Sequence, residues 1–525
     1  MKLRADSMKR LTGQSFDVLI VGGGINGAVS AAALAGRGVS VAMIDRGDFA
    51  SFTSQESSNL VWGGFKYLEN YEIPLVVNLS RSRNRLMRAY PSAITELRFW
   101  ATLDSSSPVS SWLAALGTVG YWGLGQFATK PPKYHRPKAI TAEEPIVRVD
   151  TAEAAVEYGD AYLKDNDARF VWGFVRSAID HGAVAANYVE LTEAERVGEV
   201  WRATMQDTVD GHSFDVEAKV LINAAGPFVD QLNDRWDIET KHRIVYSKGI
   251  HLVVPQLTTS ERVLAFFDDS QRLFYVIPMA HRSVIGTTDT RTTATGEGAS
   301  DDDRHFLLKQ INDRLSLPSP LTTDDIIAER SGVRPLVVLN DGDDRTDIDW
   351  TTLSRKHEIE VDKEAALVTI FGGKLTDCLN VGEEITDAIA NFGIDLAHEA
   401  DDWYGEPSDD ERRRFIDTAA SLGVGLDRRP EIEREDSLSA VLWRRHGLAA
   451  HDILEVLAED ESLAEPIMAE TDLLRAELPL YAEREMITTM DDFCRRRTKL
   501  AMLHRPETLA AAPGLAEAAA ILGVT

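Results

Sequence analysis

Short apolar runs alternate with a stretch of small residues at the start of the chain. Residues 16–21 are almost entirely apolar, as expected for a buried strand, and residues 39–44 form a second run of the same kind. Between them, residues 28–35 consist mainly of alanine, which is typical of a closely packed helix. This order predicts a βαβ unit and therefore a parallel sheet.

Three later regions carry different patterns. Residues 220–223 form a short apolar run that ends in a turn at 224–227. Residues 250–290 alternate in the manner of strands, which predicts an antiparallel sheet as the floor of a second domain. From about residue 400 to the end of the chain the pattern is helical. We therefore expect an α/β protein with an antiparallel-sheet domain and a C-terminal helical domain.

The charge composition bears on which partners the protein can bind. The 525 residues include 84 acidic and 56 basic side chains, which give a formal net charge of −28. Such a charge repels polyanions, so we expect no nucleic-acid partner. The two cysteines, Cys378 and Cys494, fit neither a disulfide framework nor a metal site. Because the N-terminus also lacks the pattern of a secretory signal, the sequence predicts a cytoplasmic protein without a bound metal.

Two basic segments stand out against the acidic composition. The first is a predicted helix with four arginines, for which we expect a solvated face and no role in a site: Arg81, Arg83, Arg85 and Arg88. The second is the segment 105–138, which is aromatic and uncharged before four basic residues: Lys130, Lys133, Arg136 and Lys138. Two interpretations of it stay open: an interfacial helix in peripheral contact with the inner face of a membrane, or a helix that covers a substrate pocket.

A glycine-rich turn lies directly after the first predicted strand. Gly22, Gly24 and Gly27 follow the pattern G-x-G-x-x-G, which allows a tight turn, close approach of a pyrophosphate and close helix–strand packing. The following helix offers N–H groups and a positive dipole end to that pyrophosphate. Asp45 ends the second strand, where a carboxylate can accept hydrogen bonds from ribose hydroxyls. We expect a dinucleotide site at this position.

The glycine turn alone does not distinguish FAD from NAD. Four later turns also contain glycine, which lets backbone come near a ligand: residues 223–227, 285–289, 331–335 and 371–376. A glycine turn at the start of the chain, combined with ligand-facing turns far downstream, favours FAD.

Taken together, these motifs resemble a known family. Residues 22–27, 57–69 and the four later turns are similar to the FAD-dependent glycerol-3-phosphate dehydrogenases and the related glycerophosphate oxidases, flavoproteins of the DAO type. The similarity continues through residues 272–278 and 495–500, and so covers nearly the whole chain in the family's order. The resemblance implies FAD as the cofactor and a Rossmann-like domain that binds it.

The expected chain organisation comprises three domains. They are an FAD-binding domain of residues 1–90 with 140–240 and 355–395, a substrate or cap domain of 91–139 with 241–354, and a helical domain of 400–525. The FAD-binding and cap domains are therefore each expected to be discontinuous in sequence.

The resemblance also implies roles for individual residues. Those expected to contact FAD are Gly22, Gly24, Asn26, Gly27, Asp45, Ser57, Ser58, Gly63, Gly64, Ala225, Gly226, Gly373, Lys374, Leu375 and Thr376. Those expected to act in catalysis are Arg334, His251 and Lys374. Those expected to contact the substrate are Trp62, Lys66, Tyr67, Arg334, Arg355 and Lys374. Three of these are retained family cations, Arg334, Arg355 and Lys374, whose convergence in an acidic protein indicates a phosphate or carboxylate on the substrate.

Two positions depart from the family pattern. The family usually has histidine where this chain has Trp62, and arginine where it has Lys66. An ammonium cannot reproduce the planar fork of a guanidinium, and an indole cannot replace a titratable imidazole. We therefore expect altered specificity, towards another polyol phosphate or anionic alcohol. The alternative is that Lys66 keeps the charge and Trp62 fills volume, with glycerol-3-phosphate still the substrate.

The implied reaction is oxidation of a secondary alcohol by hydride transfer to flavin N5, with electrons passed to a quinone or another acceptor. Two other functions stay open. One is an amine or amino-acid oxidase, in which Arg334 would hold a carboxylate, and the other is a catalytically silent flavoprotein that serves as a binding module. A homodimer is compatible with the sequence.

Overall fold

Two β-sheets organise the part of the chain that the computed structural model describes, which comprises residues 2–68, 71–105, 107–148, 152–268, 272–340, 356–399, 403–429 and 436–524. The strands in these residues are β1 (Ser15–Val21), β2 (Val41–Ile44), β3 (Leu60–Val61), β4 (Ile94–Asp104), β5 (Lys133–His135), β6 (Ala152–Leu163), β7 (Val184–Ala186), β8 (Val189–Val197), β9 (Val200–Asp207), β10 (Ser213–Asn223), β11 (His242–Pro255), β12 (Val263–Phe267), β13 (Leu273–Met279), β14 (Arg282–Gly286), β15 (Thr290–Thr292), β16 (Ala328–Leu339), β17 (Glu358–Asp362) and β18 (Leu367–Phe371).

The helices flank the two sheets and fill the C-terminal region. They are α1 (Lys2–Leu11), α2 (Ile25–Gly36), α3 (Ile73–Ala89), α4 (Ser111–Leu124), α5 (Pro137–Glu143), α6 (Asp167–Asp180), α7 (Val229–Arg235), α8 (Asp301–Arg314), α9 (Cys378–Ala390), α10 (Asp409–Ser421), α11 (Leu438–His446), α12 (Ala450–Glu459), α13 (Leu478–Arg484), α14 (Leu500–Leu503), α15 (Pro506–Ala511) and α16 (Pro513–Leu522). Among the shorter turns, a π-helical one at Asp492–Arg497 and 3₁₀ turns at Thr53–Gln55, Gly226–Phe228 and Leu375–Asp377 bear on the site.

The first sheet has the strand order β17–β18–β10–β1–β2–β7, and β9 and β8 continue from β10. Strands β18, β10, β1, β2 and β7 are parallel to one another. Helix α2 is the crossover between β1 and β2, so the predicted βαβ unit is confirmed. It is buried from Asn26 to Gly36 and packs between α6 and α9, which its alanine-rich surface allows because small side chains let helices approach closely.

The register of the first sheet places four turns at one edge. Val21 at the end of β1 pairs with Ile44 on one side and with Asn223 on the other. Asn223 pairs in turn with Thr369, near the end of β18. The turns that begin at residues 22, 45, 224 and 372 therefore emerge side by side from the carboxyl ends of parallel strands, where ligands bind in open α/β sheets.

The second sheet has the order β15–β11–β14–β13–β12–β4–β6–β3, with β16 paired to β11 and β5 to β6. It is antiparallel apart from the β4–β12 pair. This confirms the antiparallel sheet expected from residues 250–290. The long β11–β16 ladder sets Ser247 opposite Arg334 and His251 opposite Arg330, so it fixes the relative positions of two expected site residues.

Strands β3 and β6 lie in the second sheet, although the expected domain limits assign residues 1–90 and 140–240 to the FAD-binding domain. The physical reason is the antiparallel β4–β6 ladder, which extends along almost the whole of β6. The sequence of β6 gives no sign of its partner, because a strand's pattern records burial and not which sheet it joins. The domain limits as a whole stay a prediction.

The C-terminal region is helical in its described residues, as expected. Helices α10 to α13 contribute to a core that includes Phe415, Leu442, Trp443 and Ile453, and α16 packs in a second core with Tyr481 and Phe493. The turn Asp492–Arg497 belongs to this region but is buried against the first sheet's domain, through side chains considered below.

Candidate cofactor and substrate site

A cleft with about 1070 Å³ of empty space lies over the carboxyl edge of the first sheet. Its lining comes from all four turns described above and from β8 and α7. It includes Gly22, Gly24, Asn26, Asp45, Ser54, Ala225, Gly226 and Gly373, together with Arg46, Phe52, Phe228 and Arg235. Seven of the residues expected to contact FAD therefore lie around one cleft.

Two glycines of the first turn, Gly22 and Gly27, are required by the backbone around them. Gly22 has a φ of +108°, and a Cβ there would lie 2.5 Å from the carbonyl oxygen of Ala224. A Cβ on Gly27 would collide with the carbonyl oxygen of Gly22, so Gly27 packs beneath the turn. At Gly24 the protein leaves room, since a Cβ would meet only Ser54 Oγ, at 3.1 Å. The glycine at position 24 therefore keeps space free on the cleft side.

Asp45 holds the glycine turn in place. Its Oδ2 accepts from the Gly23 N–H at 2.7 Å and its Oδ1 accepts from the Gly47 N–H at 2.8 Å. Burial raises the pKa of Asp45 to about 6, against the opposing effect of these two hydrogen bonds. Each carboxylate oxygen has a second lone pair, so hydrogen bonds from ribose hydroxyls are compatible with this geometry.

Asn26 connects the start of α2 to the turn after β18. Its Nδ2 donates to the Gly372 carbonyl at 2.8 Å. Its Oδ1 is buried at the cleft and accepts no hydrogen bond from the described residues. Buried acceptors are normally satisfied, so this oxygen indicates a donor supplied by a ligand. The glycine turn, Asp45 and Asn26 together fit a bound dinucleotide.

The cleft lining includes a cluster of three side chains that the sequence did not indicate. The Arg46 guanidinium lies over the rings of Phe52 and Phe228, at 5.3 and 4.0 Å from their centroids. The two rings are in edge contact, with centroids 4.9 Å apart. We refer to Arg46, Phe52 and Phe228 as the aromatic bridge. In the sequence, only the position of Arg46 directly after Asp45 could have indicated this cluster. Phe228 could not be linked to it because it is remote in sequence.

Directly after the Gly372–Gly373 turn, Lys374 contacts Tyr67, one of the expected substrate residues. Its Nζ donates to the Tyr67 hydroxyl at 2.7 Å and lies 4.1 Å from the centre of the Tyr67 ring. The Trp62 ring lies 5.8 Å from that of Tyr67. The structure therefore brings Trp62, Tyr67 and Lys374 together. Lys66 is half-buried one residue before Tyr67.

Arg334 lies on β16 and is held across β11. Its Nη2 donates to Thr287 Oγ1 at 3.1 Å, and its Nη1 lies 3.3 Å from Asp289 Oδ1 and 3.5 Å from Ser247 Oγ. Gly249 makes this possible, because any Cβ there would occupy the position of the guanidinium. A Cβ on Gly372 would lie 3.4 Å from the Pro335 carbonyl oxygen, so the Arg334 strand and the Lys374 turn are in contact.

His251 lies on β11 opposite Arg330, four residues along the strand from the Ser247–Arg334 pair, and is 4 % exposed. Its Nδ1 has no hydrogen-bond partner among the described residues. Burial, followed by the charges of Arg330 and Arg334, lowers the pKa of His251 well below its usual range. The imidazole is therefore neutral at neutral pH, which is the form that accepts a proton.

The remaining expected residues lie away from the cleft lining. The Ser57 N–H donates to Asp167 Oδ2 at 2.8 Å, and the Gly63 N–H donates to Asp160 at 3.0 Å. The other such residues are Gly27, Ser58, Gly64, Lys374, Leu375 and Thr376, of which Gly27, Gly64 and Thr376 are buried. Their contact with a cofactor stays a prediction, and Arg355 lies outside the described residues.

Arg83 corrects one expectation from the sequence. It is 1 % exposed, with Nη1 3.1 Å from Asp160 Oδ1, and Tyr121 donates to Asp160 at 2.7 Å. The predicted solvated face is therefore wrong at this position. Arg83 packs beneath the Gly63 turn, where a Cβ would collide with the Tyr121 hydroxyl. Arginine spacing alone could not show this, because the partner carboxylate comes from β6.

Comparison with known proteins identifies the fold and its family. A family model described as "FAD dependent oxidoreductase" matches residues 17–358, well over half of the chain. The chain belongs to this family. Its expected cofactor, FAD, fits the cleft described above. A second model, "C-terminal domain of alpha-glycerophosphate oxidase", matches residues 411–522 and covers most of the helical region.

Similar proteins cover most of the length of this flavoprotein. The aerobic glycerol-3-phosphate dehydrogenase of Escherichia coli (strain K12) is 30% identical over 500 residues, which cover 93% of this chain and 94% of that protein. The aerobic glycerol-3-phosphate dehydrogenase of Staphylococcus haemolyticus is 31% identical over 394 residues, covering 73% and 68%. The structure of glycerol-3-phosphate dehydrogenase from Bacillus halodurans complexed with FAD matches with a TM-score of 0.75 at 22% identity, covering 100% of this chain and 94% of that one.

Proposed function

We propose that this flavoprotein is a dehydrogenase that oxidises the secondary alcohol of glycerol-3-phosphate or of a closely related anionic alcohol. The observation that carries the proposal is the pair of cations Arg334 and Lys374. They stand on two adjoining backbone segments in a chain whose net charge is −28. An anionic substrate explains two cations on adjoining segments, and the names of two relatives point to the same substrate class.

Each residue of the site has a definite task in this reaction. The flavin, when bound, supplies the acceptor for the hydride that leaves the alcohol carbon. His251 Nδ1, neutral and without a partner among the described residues, accepts the hydroxyl proton. Arg334 binds the oxygen on which negative charge develops, and its contacts to Asp289 and Thr287 hold the guanidinium before substrate arrives. Lys374, held by Tyr67, contacts the phosphate of the substrate.

The departures at Trp62 and Lys66 bear on which alcohol is preferred. Trp62 contacts Tyr67, which in turn holds Lys374, so the indole lies one residue away from a proposed phosphate contact. Lys66 supplies a charge without the two parallel donors of a guanidinium. We propose that these residues shift the preference away from glycerol-3-phosphate towards a polyol phosphate of different shape.

A panel of substrates tests the proposal directly. The holoenzyme is mixed anaerobically with polyol phosphates, uncharged polyols and amino acids, and bleaching of the flavin absorbance is followed. We expect fast bleaching with phosphorylated polyols and none with uncharged ones. Bleaching by amino acids alone would instead favour an amine or amino-acid oxidase, and no bleaching by any compound would favour a silent binding module.

We also propose that the exposed face of α4 contacts a membrane surface. Trp112, Leu116 and Val119 are 67, 60 and 52% exposed, while Ala114 and Tyr121 on the opposite side of the helix are buried. Four basic residues that follow are exposed: Lys130, Lys133, Arg136 and Lys138. Among the described residues no helix is long and apolar enough to span a bilayer. An apolar face beside a basic segment suits an anionic lipid surface.

Vesicle co-sedimentation tests this surface. Binding to anionic vesicles should be lost in Trp112→Glu with Leu116→Glu, and retained in the control Ile521→Glu, whose side chain is also exposed. Equal binding by both variants would exclude α4 as the contact. A quinone acceptor, a homodimer and a cytoplasmic location stay predictions. Reduction of a soluble quinone analogue, size-exclusion chromatography and cell fractionation test them.

A further inference from the structure

Three consecutive arginines of the C-terminal region point into the FAD-binding part of the molecule. We name Arg495, Arg496 and Arg497 the arginine triplet; they lie in the π-helical turn and are 9, 4 and 1 % exposed. Arg497 donates to both oxygens of Asp48, from Nη1 at 2.8 Å and from Nη2 at 2.9 Å. Arg496 Nε donates to Asp48 Oδ2 at 2.8 Å. One buried carboxylate thus receives two guanidinium groups.

Arg495, the third member of the triplet, contacts Gln55 and Glu56, which follow Asp48 by seven and eight residues. Arg495 Nη2 donates to the Gln55 carbonyl at 2.9 Å and lies 3.0 Å from Glu56 Oε1. Arg496 Nη1 also donates to Gln55 Oε1, at 3.2 Å. The triplet therefore forms hydrogen bonds and ion pairs with both ends of the stretch from Asp48 to Glu56.

That stretch belongs to the wall of the cofactor cleft. We name residues 45–56 the wall segment; seven of its members line the cleft, namely Asp45, Arg46, Ala50, Ser51, Phe52, Thr53 and Ser54. On its inner side the wall segment is joined to the glycine turn. The Ala50 N–H donates to the Gly23 carbonyl at 3.0 Å, and Ser54 Oγ accepts from the Ile25 N–H at 3.0 Å. The wall segment thus lies between the arginine triplet and the turn that faces the dinucleotide.

We propose that the arginine triplet positions the wall segment for FAD binding, which makes the C-terminal region part of the cofactor site without contributing to its lining. The proposal rests on the FAD binding that the proposed function also requires. These arginines are positioning residues, since their contacts are to the protein. The physical reason is that a buried carboxylate keeps its place only while its cationic partners are present.

The wall segment also connects the arginine triplet to β16, which carries Arg334. The Gln55 carbonyl that accepts from Arg495 also accepts from Arg330 Nη2, at 3.0 Å. Thr53 Oγ1 donates to the Val333 carbonyl at 2.6 Å, directly before Arg334. A displaced wall segment would therefore disturb β16 as well as the glycine turn. Loss of the triplet should lower kcat even when FAD is saturating.

If the buried arginines only stabilised the fold, replacing any of them would lower the unfolding temperature without a specific effect on FAD binding. Arg445 provides a matched control for this alternative. Arg445 is also buried in the C-terminal region, and it donates to Glu477 at 2.7 Å and to Asp472 at 2.7 Å. Both partners belong to that region itself. Arg445→Lys should therefore lower the unfolding temperature as Arg497→Lys does, but without moving the wall segment.

The test compares Asp48→Asn, Arg497→Lys and Arg445→Lys. The dissociation constant of FAD is measured by titrating each apoprotein and following flavin fluorescence, and proteolysis of the wall segment is followed in parallel. We expect Asp48→Asn and Arg497→Lys to raise the dissociation constant about tenfold or more, equal to about 1.4 kcal/mol, and to expose the wall segment to protease. Arg445→Lys should change the dissociation constant less than about twofold at a temperature well below its unfolding.

Wild-type FAD affinity in Asp48→Asn and Arg497→Lys would overturn the proposal, as would an equal loss in Arg445→Lys. If Arg497→Lys fails to fold, Arg495→Lys gives the same test through its contacts to Gln55 and Glu56. The measurement needs no substrate, so a wrong substrate assignment leaves its outcome unchanged. Failure of the wild-type protein itself to bind FAD would instead overturn the proposed function.

Discussion

Replacing Arg334 by alanine should abolish turnover while the protein stays folded. The stability change is small, because the guanidinium is partly exposed and because Asp289, its carboxylate partner, keeps a second cation: Arg272 Nη2 lies 3.5 Å from Asp289 Oδ2. Turnover is affected far more, since a preorganised donor to a developing oxyanion contributes about 3 kcal/mol to transition-state stabilisation. That corresponds to a fall in kcat/KM of about a hundredfold or more.

Steady-state oxidation of the best polyol phosphate, with FAD saturating, measures this loss. The matched control is Arg272→Ala, which removes the other cation of Asp289 and leaves Arg334 in place. We expect the two variants to unfold at similar temperatures and to bind FAD alike, but to differ in kcat/KM by about thirtyfold or more. If Arg334→Ala is no slower than Arg272→Ala, then Arg334 does not contact the reacting oxygen and the reasoning is refuted.

Three further predictions follow from single features of the site. Gly24→Val should give a folded, colourless protein, because a Cβ there meets only Ser54 Oγ within the protein and the added side chain is expected to fill the space of the dinucleotide; retained FAD after gel filtration would contradict this. Because the pKa of Asp45 is raised to about 6 in the folded state, the unfolding free energy of the apoprotein should fall relative to Asp45→Asn as pH rises from about 4 to about 6. If urea unfolding shows that the free energies of unfolding of the wild-type apoprotein and of Asp45→Asn change in parallel over this pH range, the raised pKa of Asp45 is contradicted. Trp62→His combined with Lys66→Arg should raise kcat/KM for glycerol-3-phosphate relative to the native substrate; a wild-type protein that already prefers glycerol-3-phosphate would show the altered-pocket idea to be wrong.

The parts of the fold that the sequence predicted are those whose causes are local. An apolar run, Gly22 to Gly27 and a terminal Asp45 lie within one βαβ unit, so spacing alone located them. The aromatic bridge could not be found in this way, because Phe228 reaches Arg46 only through the parallel order of β1, β2 and β10. The same limit applies to β6, whose pattern records burial but not its pairing with β4.

Trp62, which departs from the family pattern, is connected through Tyr67 to Lys374, which is retained. Trp62 contacts the ring of Tyr67, whose hydroxyl accepts a hydrogen bond from Lys374. A change at position 62 therefore reaches Lys374 through Tyr67, although Lys374 itself is unchanged. Effects of residues in such contact are not additive. Retention of Arg334 and Lys374, the proposed site cations, accordingly does not guarantee the family's substrate, since the residue that holds Lys374 contacts a neighbour that differs.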